Sequence, residues 1–174
     1  MNFTPSISSA FSSTNDYINS VAQNYKIDMS SPPSLVRTLS LILLYSGIAF
    51  FIISLFFNAF FTNSDDIRGI WVLLTGWLGF IIFQFAWYAN PLSLLAILLM
   101  KQRPVIALLL SVLAAIIASE TFIFNEIPAA SGDEKIYIKE FGLGVYGWYA
   151  SHWLVLYSMV FNLIDKGLKK EDES

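Results

Sequence analysis

Two ionisable side chains lie inside long apolar stretches of this sequence, and they are its strongest candidates for chemistry. His152 is the only histidine among 174 residues, and Glu120 is the only acidic residue within such a stretch. Burying an ionisable group in a bilayer is costly, so these groups are functional candidates by default. A carboxylate and an imidazole in one cavity could relay protons. Alternatively, both serve packing, with Glu120 reaching the outer surface and His152 bonded to a neighbouring helix.

Uncharged polar residues in the same stretches extend this candidate site. Asn58 and Thr75 are expected in the outer half of a membrane bundle, as Glu120 and His152 are, and the four could line a cavity that opens outward. Polar side chains also hydrogen-bond between membrane helices, at about 0.6–2 kcal/mol each. The sequence therefore gives Glu120, His152, Asn58 and Thr75 as a candidate intramembrane polar site, although simple interhelical packing is the interpretation that it favours.

Enzyme and metal-site motifs are missing from the sequence. It contains no HExxH, no GxSxG, no Walker A loop and no glycine-rich dinucleotide loop. With no cysteine and one histidine, it cannot form a thiolate nucleophile or a histidine-rich metal site. We therefore predict a non-enzymatic protein without catalytic residues, metal or cofactor. An intramembrane enzyme acting on lipid is the least favoured class, because it needs a nucleophile or metal near the interface.

Composition indicates that membrane helices hold these residues. The chain is 56% hydrophobic and 13% charged, whereas soluble domains are roughly 45–50% apolar and about 25% charged. So few charges cannot cover the surface of an ordinary cytosolic enzyme, and so apolar a chain is not disordered. The net charge of −3 argues against a nucleic-acid partner. The expected partners are the lipid bilayer and other membrane proteins or further copies of the chain.

Four apolar runs are long enough to cross a bilayer core about 30 Å thick, which takes roughly 20 helical residues. They predict an all-α integral membrane protein with a four-helix domain over residues 37–164. The predicted spans are at about 40–61, 70–88, 105–124 and 141–164.

Residues 89–100, after the second run, are too short to span alone. Pro91 disfavours helix at Asn90, so a break is expected there. We predict a short segment at the membrane interface, and the alternative is one kinked span at about 79–100.

Small residues indicate close helix packing in the last two spans. They recur every four positions, which lets helix backbones approach. A tight hairpin of spans three and four is predicted, with contact between copies of the chain as the alternative. The residues are Ser111, Ala115 and Ser119 on span three and Gly147 and Ser151 on span four.

Lysine and arginine predict the orientation, because these residues favour the cytoplasmic side. The side that holds Lys101, Arg103 and Lys166 is the richer in basic residues, so both termini are predicted to be cytoplasmic. Residues 1–36 are predicted to form a cytoplasmic amphipathic helix and linker, and residues 165–174 a cytoplasmic tail. The absence of cysteines and of the short secreted loops common at eukaryotic cell surfaces favours a bacterial inner membrane.

The expected function is that of an accessory or scaffold subunit of a membrane complex. Small loops, small-residue helix faces and the lack of catalytic motifs favour it. The alternative is a small oligomeric channel or transporter that uses His152 and Glu120.

Overall fold

The protein is described here by a computed structural model that covers residues 34–128 and 135–172. The predicted amphipathic helix and linker of residues 1–36 therefore lie almost entirely outside the described residues. The described part is mostly helical. Its α-helices are α1 (Leu35–Ser54), α2 (Gly69–Thr75), α3 (Ala89–Leu99), α4 (Pro104–Ser119) and α5 (Leu143–Asp172). Shorter 3-10 helices occupy Gly76–Ile82, Ala86–Tyr88 and Glu120–Ile123.

The ends of the two most apolar helices follow from local sequence signals. The Ser34 hydroxyl accepts a hydrogen bond from the Arg37 backbone N–H at 3.1 Å and so caps α1. Pro104 opens α4, where a missing backbone N–H costs nothing. At the other end of α1, the Ser54 hydroxyl donates to the Phe51 carbonyl at 2.6 Å. The helix ends at residue 54, and residues 58–62, most of which fall in the run predicted as a span to residue 61, form a strand instead.

A four-stranded antiparallel sheet lies at one end of the helices. Its strands are β1 (Asn58–Thr62), β2 (Ile67–Arg68), β3 (Glu126–Pro128) and β4 (Lys135–Phe141), in the order β2-β1-β4-β3. Ala59 and Phe60 are buried with Val145 beneath it. The all-α prediction was therefore wrong, because β1 pairs with a strand that lies far along the chain and no local pattern reports that pairing.

The helices connect two ends, which we call the sheet end and the distal end. The sheet end carries β1–β4. At the distal end, the Ser34 hydroxyl donates to the Asp165 carboxylate, and Asn162 Nδ2 donates to the Met100 carbonyl at 3.1 Å. Four helical stretches run between the two ends: α1, residues 86–99, α4 and α5.

The predicted second span is not one continuous helix. Its first part, residues 69–82, is called the lateral segment here. It begins beside the end of α1, where Gly69 N–H donates to the Phe57 carbonyl at 2.9 Å, and it ends beside β3. A bend of 119° separates residues 69–81 from residues 86–99. Residues 89–99, within the segment predicted to lie at the membrane interface, form the helix α3, which reaches the distal end.

Two helices are long and apolar enough to cross a membrane by themselves, Leu35–Ser54 and Pro104–Ile123. Residues 69–81 and 86–99, the bent pair of segments on either side of the 119° bend, could together supply a third span. The 30-residue helix α5 is less apolar because it carries tryptophan, tyrosine, serine and His152. It lies centrally, in contact with α1, α3 and α4. Since α5 covers Leu143–Asp172, the helix continues beyond the span predicted at 141–164 and includes most of the predicted cytoplasmic tail.

Candidate functional site

Two polar contacts join α3 to α5 in the interior. The indole N–H of Trp148 donates to Asn90 Oδ1 at 2.8 Å, and His152 Nδ1 lies 2.8 Å from the Ser93 hydroxyl. Asn90 and Ser93 are three residues apart, whereas Trp148 and His152 are four apart, and both spacings place side chains on one helix face. The two pairs therefore form consecutive rungs between the same two helices.

His152 is enclosed, with only 2% of its surface exposed. Its ring meets the Trp148 indole edge to face, with centroids 4.7 Å apart and planes at 84°. Nδ1 is engaged with Ser93, and within residues 34–128 and 135–172 Nε2 has no hydrogen-bond partner. The partner that the structure gives this imidazole is a hydroxyl group and not a carboxylate.

Glu120 lies directly after α4 and holds a turn of the chain. Its Oε2 accepts a hydrogen bond at 3.0 Å from the backbone N–H of Phe85. The neighbouring Gln84 donates through Nε2 to the Glu126 carbonyl at 3.2 Å. Together these bonds attach the turn between the lateral segment and α3 to the end of α4 and to β3. The proton-relay hypothesis pairs Glu120 with His152, but the structure gives each a different hydrogen-bond partner.

The other two residues of the predicted site also have separate partners. Asn58 is the first residue of β1, and its Nδ2 donates to Asp66 Oδ2 at 3.3 Å. Thr75 ends α2 and donates to the Trp71 carbonyl at 2.8 Å, within its own helix. The four predicted residues are thus distributed over the sheet, the lateral segment, the end of α4 and α5.

The small residues of α5 face α1. A Cβ atom on Gly147 would lie 3.3 Å from Ser54 Cβ, and a Cβ atom on Gly47 would lie 3.1 Å from the Ser151 carbonyl oxygen. On α4, Ser111 and Ala115 are buried, and the Ser119 hydroxyl lies 3.2 Å from the Tyr149 hydroxyl. The predicted hairpin of spans three and four is therefore only part of the packing, since Gly147 and Ser151 lie against α1.

Two residues just before α3, Trp87 and Tyr88, form hydrogen bonds to the lateral segment. Trp87 Nε1 donates to the Leu73 carbonyl at 2.8 Å, and the Tyr88 hydroxyl donates to the Trp77 carbonyl at 3.2 Å. Gly76 lies so close to the Trp87 indole that a Cβ atom would come within 2.5 Å of it. A bulkier residue at position 76 would therefore push the two segments apart.

The turn itself uses an uncommon backbone conformation. Phe83 has φ = 57° and ψ = 33°, a left-handed conformation that costs energy for a residue with a side chain. The Gln84 N–H donates to the Gly79 carbonyl at 2.9 Å, and a Cβ atom on Gly79 would lie 2.3 Å from the Gln84 carbonyl oxygen. The chain reverses here because Gly79 allows the two backbones to touch.

A cavity of about 560 Å³ lies at the sheet end. Its walls come from the end of α1, from β1–β3, from the lateral segment and from the first turns of α3 and α5. Most lining residues are apolar, such as Phe60, Val72 and Val145. Asn90 and Trp148 also line it, so the first rung between α3 and α5 forms part of its wall.

Metal-site geometry is missing from the part of the chain that the structure describes: no three or more His, Cys, Asp or Glu residues cluster there so as to hold an ion. Comparison with known proteins finds no matching family model, no matching curated protein and no matching solved structure.

The sequence reasoning did not single out Ser93, Trp148 or the cavity. The spacing of Asn90 and Ser93, and that of Trp148 and His152, did indicate a polar face on each of two helices. It could not show that these faces meet, because α3 was expected to lie at the interface.

Proposed function

We propose that this chain is a non-enzymatic accessory or scaffold subunit of a membrane complex. The proposal rests on one observation, that interior polar side chains form hydrogen bonds between helices. Ser40 bonds with Ser158, and Ser93 and Asn90 bond with α5, so these side chains join helices to one another. A substrate site would require such groups to remain available to a ligand.

Exposed apolar faces support an assembly role. A soluble monomer rarely exposes large contiguous apolar patches, and such patches serve as membrane or protein contacts. α1 and α4 both expose rows of large apolar side chains, which include Ile42, Ile48, Ile52, Leu109, Leu113 and Ile116. These rows would face lipid or the helices of a partner, either another membrane protein or a second copy.

The proposed topology has four crossings: α1, residues 86–99, α4 and α5. Residues 86–99 cover about 20 Å at helical rise, less than the usual bilayer core of about 30 Å. The lateral segment would make up the difference by lying in the outer interface. Trp71 and Trp77 are exposed on it, and tryptophan favours that depth.

The charges support an arrangement with both termini inside. The proposed location is a bacterial inner membrane, because the sequence has no cysteine. Basic Lys101, Arg103 and Lys166 lie at the distal end, which would face the cytoplasm. Acidic Asp65 and Asp66 lie in the turn between β1 and β2 at the sheet end, which would face outward.

Cysteine labelling tests this topology without background, since the natural sequence has no cysteine. Ser64→Cys in the β1–β2 turn and Gln102→Cys at the distal end should behave oppositely toward a membrane-impermeant maleimide. We expect intact cells to label only the first variant and permeabilised cells to label both. Labelling of Gln102→Cys in intact cells would contradict the proposed orientation.

Purification from native membranes tests the complex. An affinity-tagged chain extracted in mild detergent should elute with other membrane proteins or as an oligomer, well above its own 19.6 kDa plus detergent. Ile42→Trp on α1 and Leu109→Trp on α4 are matched changes at exposed positions. The variant whose helix contacts the partner should release it, and the variant whose helix faces lipid should not. Recovery of a lone monomer under all conditions would rule out the assembly role.

A small oligomeric channel or transporter is the second candidate. The buried His152, whose Nε2 has no partner within the described residues, favours it. Purified protein in liposomes should then carry a proton or ion flux that changes in His152→Ala and in Glu120→Gln. Absence of flux, or equal flux in both variants and the natural protein, would contradict the channel or transporter role.

A further inference from the structure

The cavity at the sheet end combines a substantial volume with a mostly apolar lining. Ligand sites in proteins commonly have volumes of about 300–1,000 Å³, and this cavity, at about 560 Å³, falls in the middle of that range. It does not depend on the proposed accessory role, since it is formed entirely within one chain.

Water is a poor occupant of this space. At about 30 Å³ each, on the order of 20 waters would be needed to fill it, and each water needs two to four polar partners. Several polar groups in the lining already have partners within the protein. Thr75 bonds to Trp71, Trp87 to Leu73, and Asn90 to Trp148. The walls therefore offer far fewer hydrogen bonds than such a volume of water requires.

The cavity borders a surface that also suits hydrocarbon. Leu78 and Ile81 line it, yet 42% and 63% of their surfaces are exposed. Both belong to the lateral segment, where Trp77 and Phe80 add further exposed apolar surface. An apolar chain that passes between Leu78 and Ile81 would remain in contact with apolar groups throughout, whereas a soluble polar ligand would lose its hydration there.

Two glycines in the cavity wall let the lateral segment lie close to the start of α3. Gly76 lies against the Trp87 indole and Gly79 against the Gln84 carbonyl, and both glycines line the cavity. These close contacts accompany the bend between the lateral segment and α3, and the cavity is lined by residues on both sides of that bend. The hydrogen bonds from Trp87 and Tyr88 connect the same two segments.

We propose that this cavity binds a hydrocarbon chain of a membrane lipid, which enters from the bilayer past Leu78 and Ile81. The chain occupies the space between the lateral segment, the sheet and the Asn90–Trp148 pair. The lipid's polar head remains outside, at the level of the sheet end.

Photo-crosslinking in lipid bilayers tests the proposal. The probe is a phosphatidylethanolamine with a diazirine near the end of one acyl chain, incorporated into vesicles with the full-length protein. Mass spectrometry of the crosslinked peptides should find labels enriched at least several-fold on cavity-lining residues, such as Phe60, Val72 and Val145, over the exposed residues of α1. Labels spread evenly over the exposed faces, without that enrichment, would overturn the proposal.

A pair of substitutions on one helix provides the control. Val72→Trp fills the cavity, whereas Leu74→Trp places the same side chain at a position on α2 that is 56% exposed and outside the lining. We expect Val72→Trp to reduce labelling of Phe60 and Val145 about fivefold or more and Leu74→Trp to leave it unchanged. Ile127→Trp fills the cavity from β3 and guards against misfolding of the first variant. Equal labelling in a folded filled variant and in the natural protein would overturn the proposal.

Discussion

Trp148 and Asn90 meet across 2.8 Å, with the indole N–H of Trp148 donating to the side-chain oxygen of Asn90. Asn90 lies in the first turn of α3, one residue before Pro91. The bond therefore fixes the start of α3 against α5 at the point where the sequence least favours a helix. The same pair forms part of the cavity wall, so helix packing and cavity shape depend on one contact.

Replacement of Trp148 by phenylalanine should destabilise the bundle. The change removes the indole donor and leaves the Asn90 oxygen without it, at a cost of about 1–2 kcal/mol. Trp77→Phe is the matched control, because that side chain is exposed and its loss should change stability by less than about 0.5 kcal/mol. Unfolding in mixed detergent micelles, followed by circular dichroism, measures both. Equal stability of the two variants would show that the indole bond contributes nothing.

Replacement of Gly142 by alanine should disrupt the join between β4 and α5. A Cβ atom there would lie 2.1 Å from the Asn58 carbonyl oxygen, and the Gly142 N–H already donates to Ala59. Relief of such a clash requires backbone movement, with an expected cost of about 1–3 kcal/mol. Gly167→Ala on α5 meets nothing within 4 Å and should stabilise the helix by up to about 1 kcal/mol. Thermal unfolding in detergent should therefore shift in opposite directions for the two variants.

The role of Glu120 in holding the turn at residues 83–85 can be measured by hydrogen exchange. Glu120→Leu removes the acceptor of the Phe85 N–H, whereas Glu120→Gln keeps an oxygen in place. Hydrogen bonds to charged groups contribute about 1.5–3 kcal/mol, so exchange at Phe85 should accelerate roughly tenfold or more in the leucine variant. The glutamine variant should remain closer to the natural protein. Unchanged protection in Glu120→Leu would show that the turn is held by other contacts.

Ser40 and Ser158 should behave as an energetically coupled pair. Each hydroxyl donates to the other residue's carbonyl, at 2.9 and 2.8 Å, and joins α1 to α5. A double-mutant cycle with alanine should give a coupling energy of about 0.6–1.7 kcal/mol, the range found between membrane helices. Ser40 with Ser111 is the control pair, because the Ser111 hydroxyl bonds within its own helix and the two effects should add. A zero coupling for Ser40 and Ser158 would contradict the reciprocal bonding.

Hydrophobic run length located α1 and α4, but it extended the first run through β1 and did not predict the bend after the first part of the second run. Residues 70–88 contain no charged residue, and a run that bends can be as apolar as one continuous helix. What separates the two is the bend after Ile81, which depends on backbone contacts at Gly79 and on the Glu120 carboxylate from another helix. The Glu120 bond joins residues 35 positions apart, and hydropathy carries no information about it or about the close backbone approach at Gly79.

The sheet was not predicted from the sequence for a related reason. Residues 58–62 continue the apolar run of α1, so length alone extended the helix through them. Their aromatic residues and threonine suit a strand, but the partner strand, Lys135–Phe141, lies more than 70 residues further on. The four residues of the predicted polar site were chosen by residue type and depth, whereas the hydroxyl partner of His152 lies on α3, a helix not expected there.

The central position of α5 has a consequence for biosynthesis. Ser40, Asn90, Ser93 and Ser119 lie on three helices that leave the ribosome before α5, and each pairs with an α5 residue. In the proposed four-crossing topology these polar groups would enter the bilayer before their α5 partners, and the bundle would close only when α5 inserts. A chain arrested before residue 143 would then lack every one of these contacts to α5.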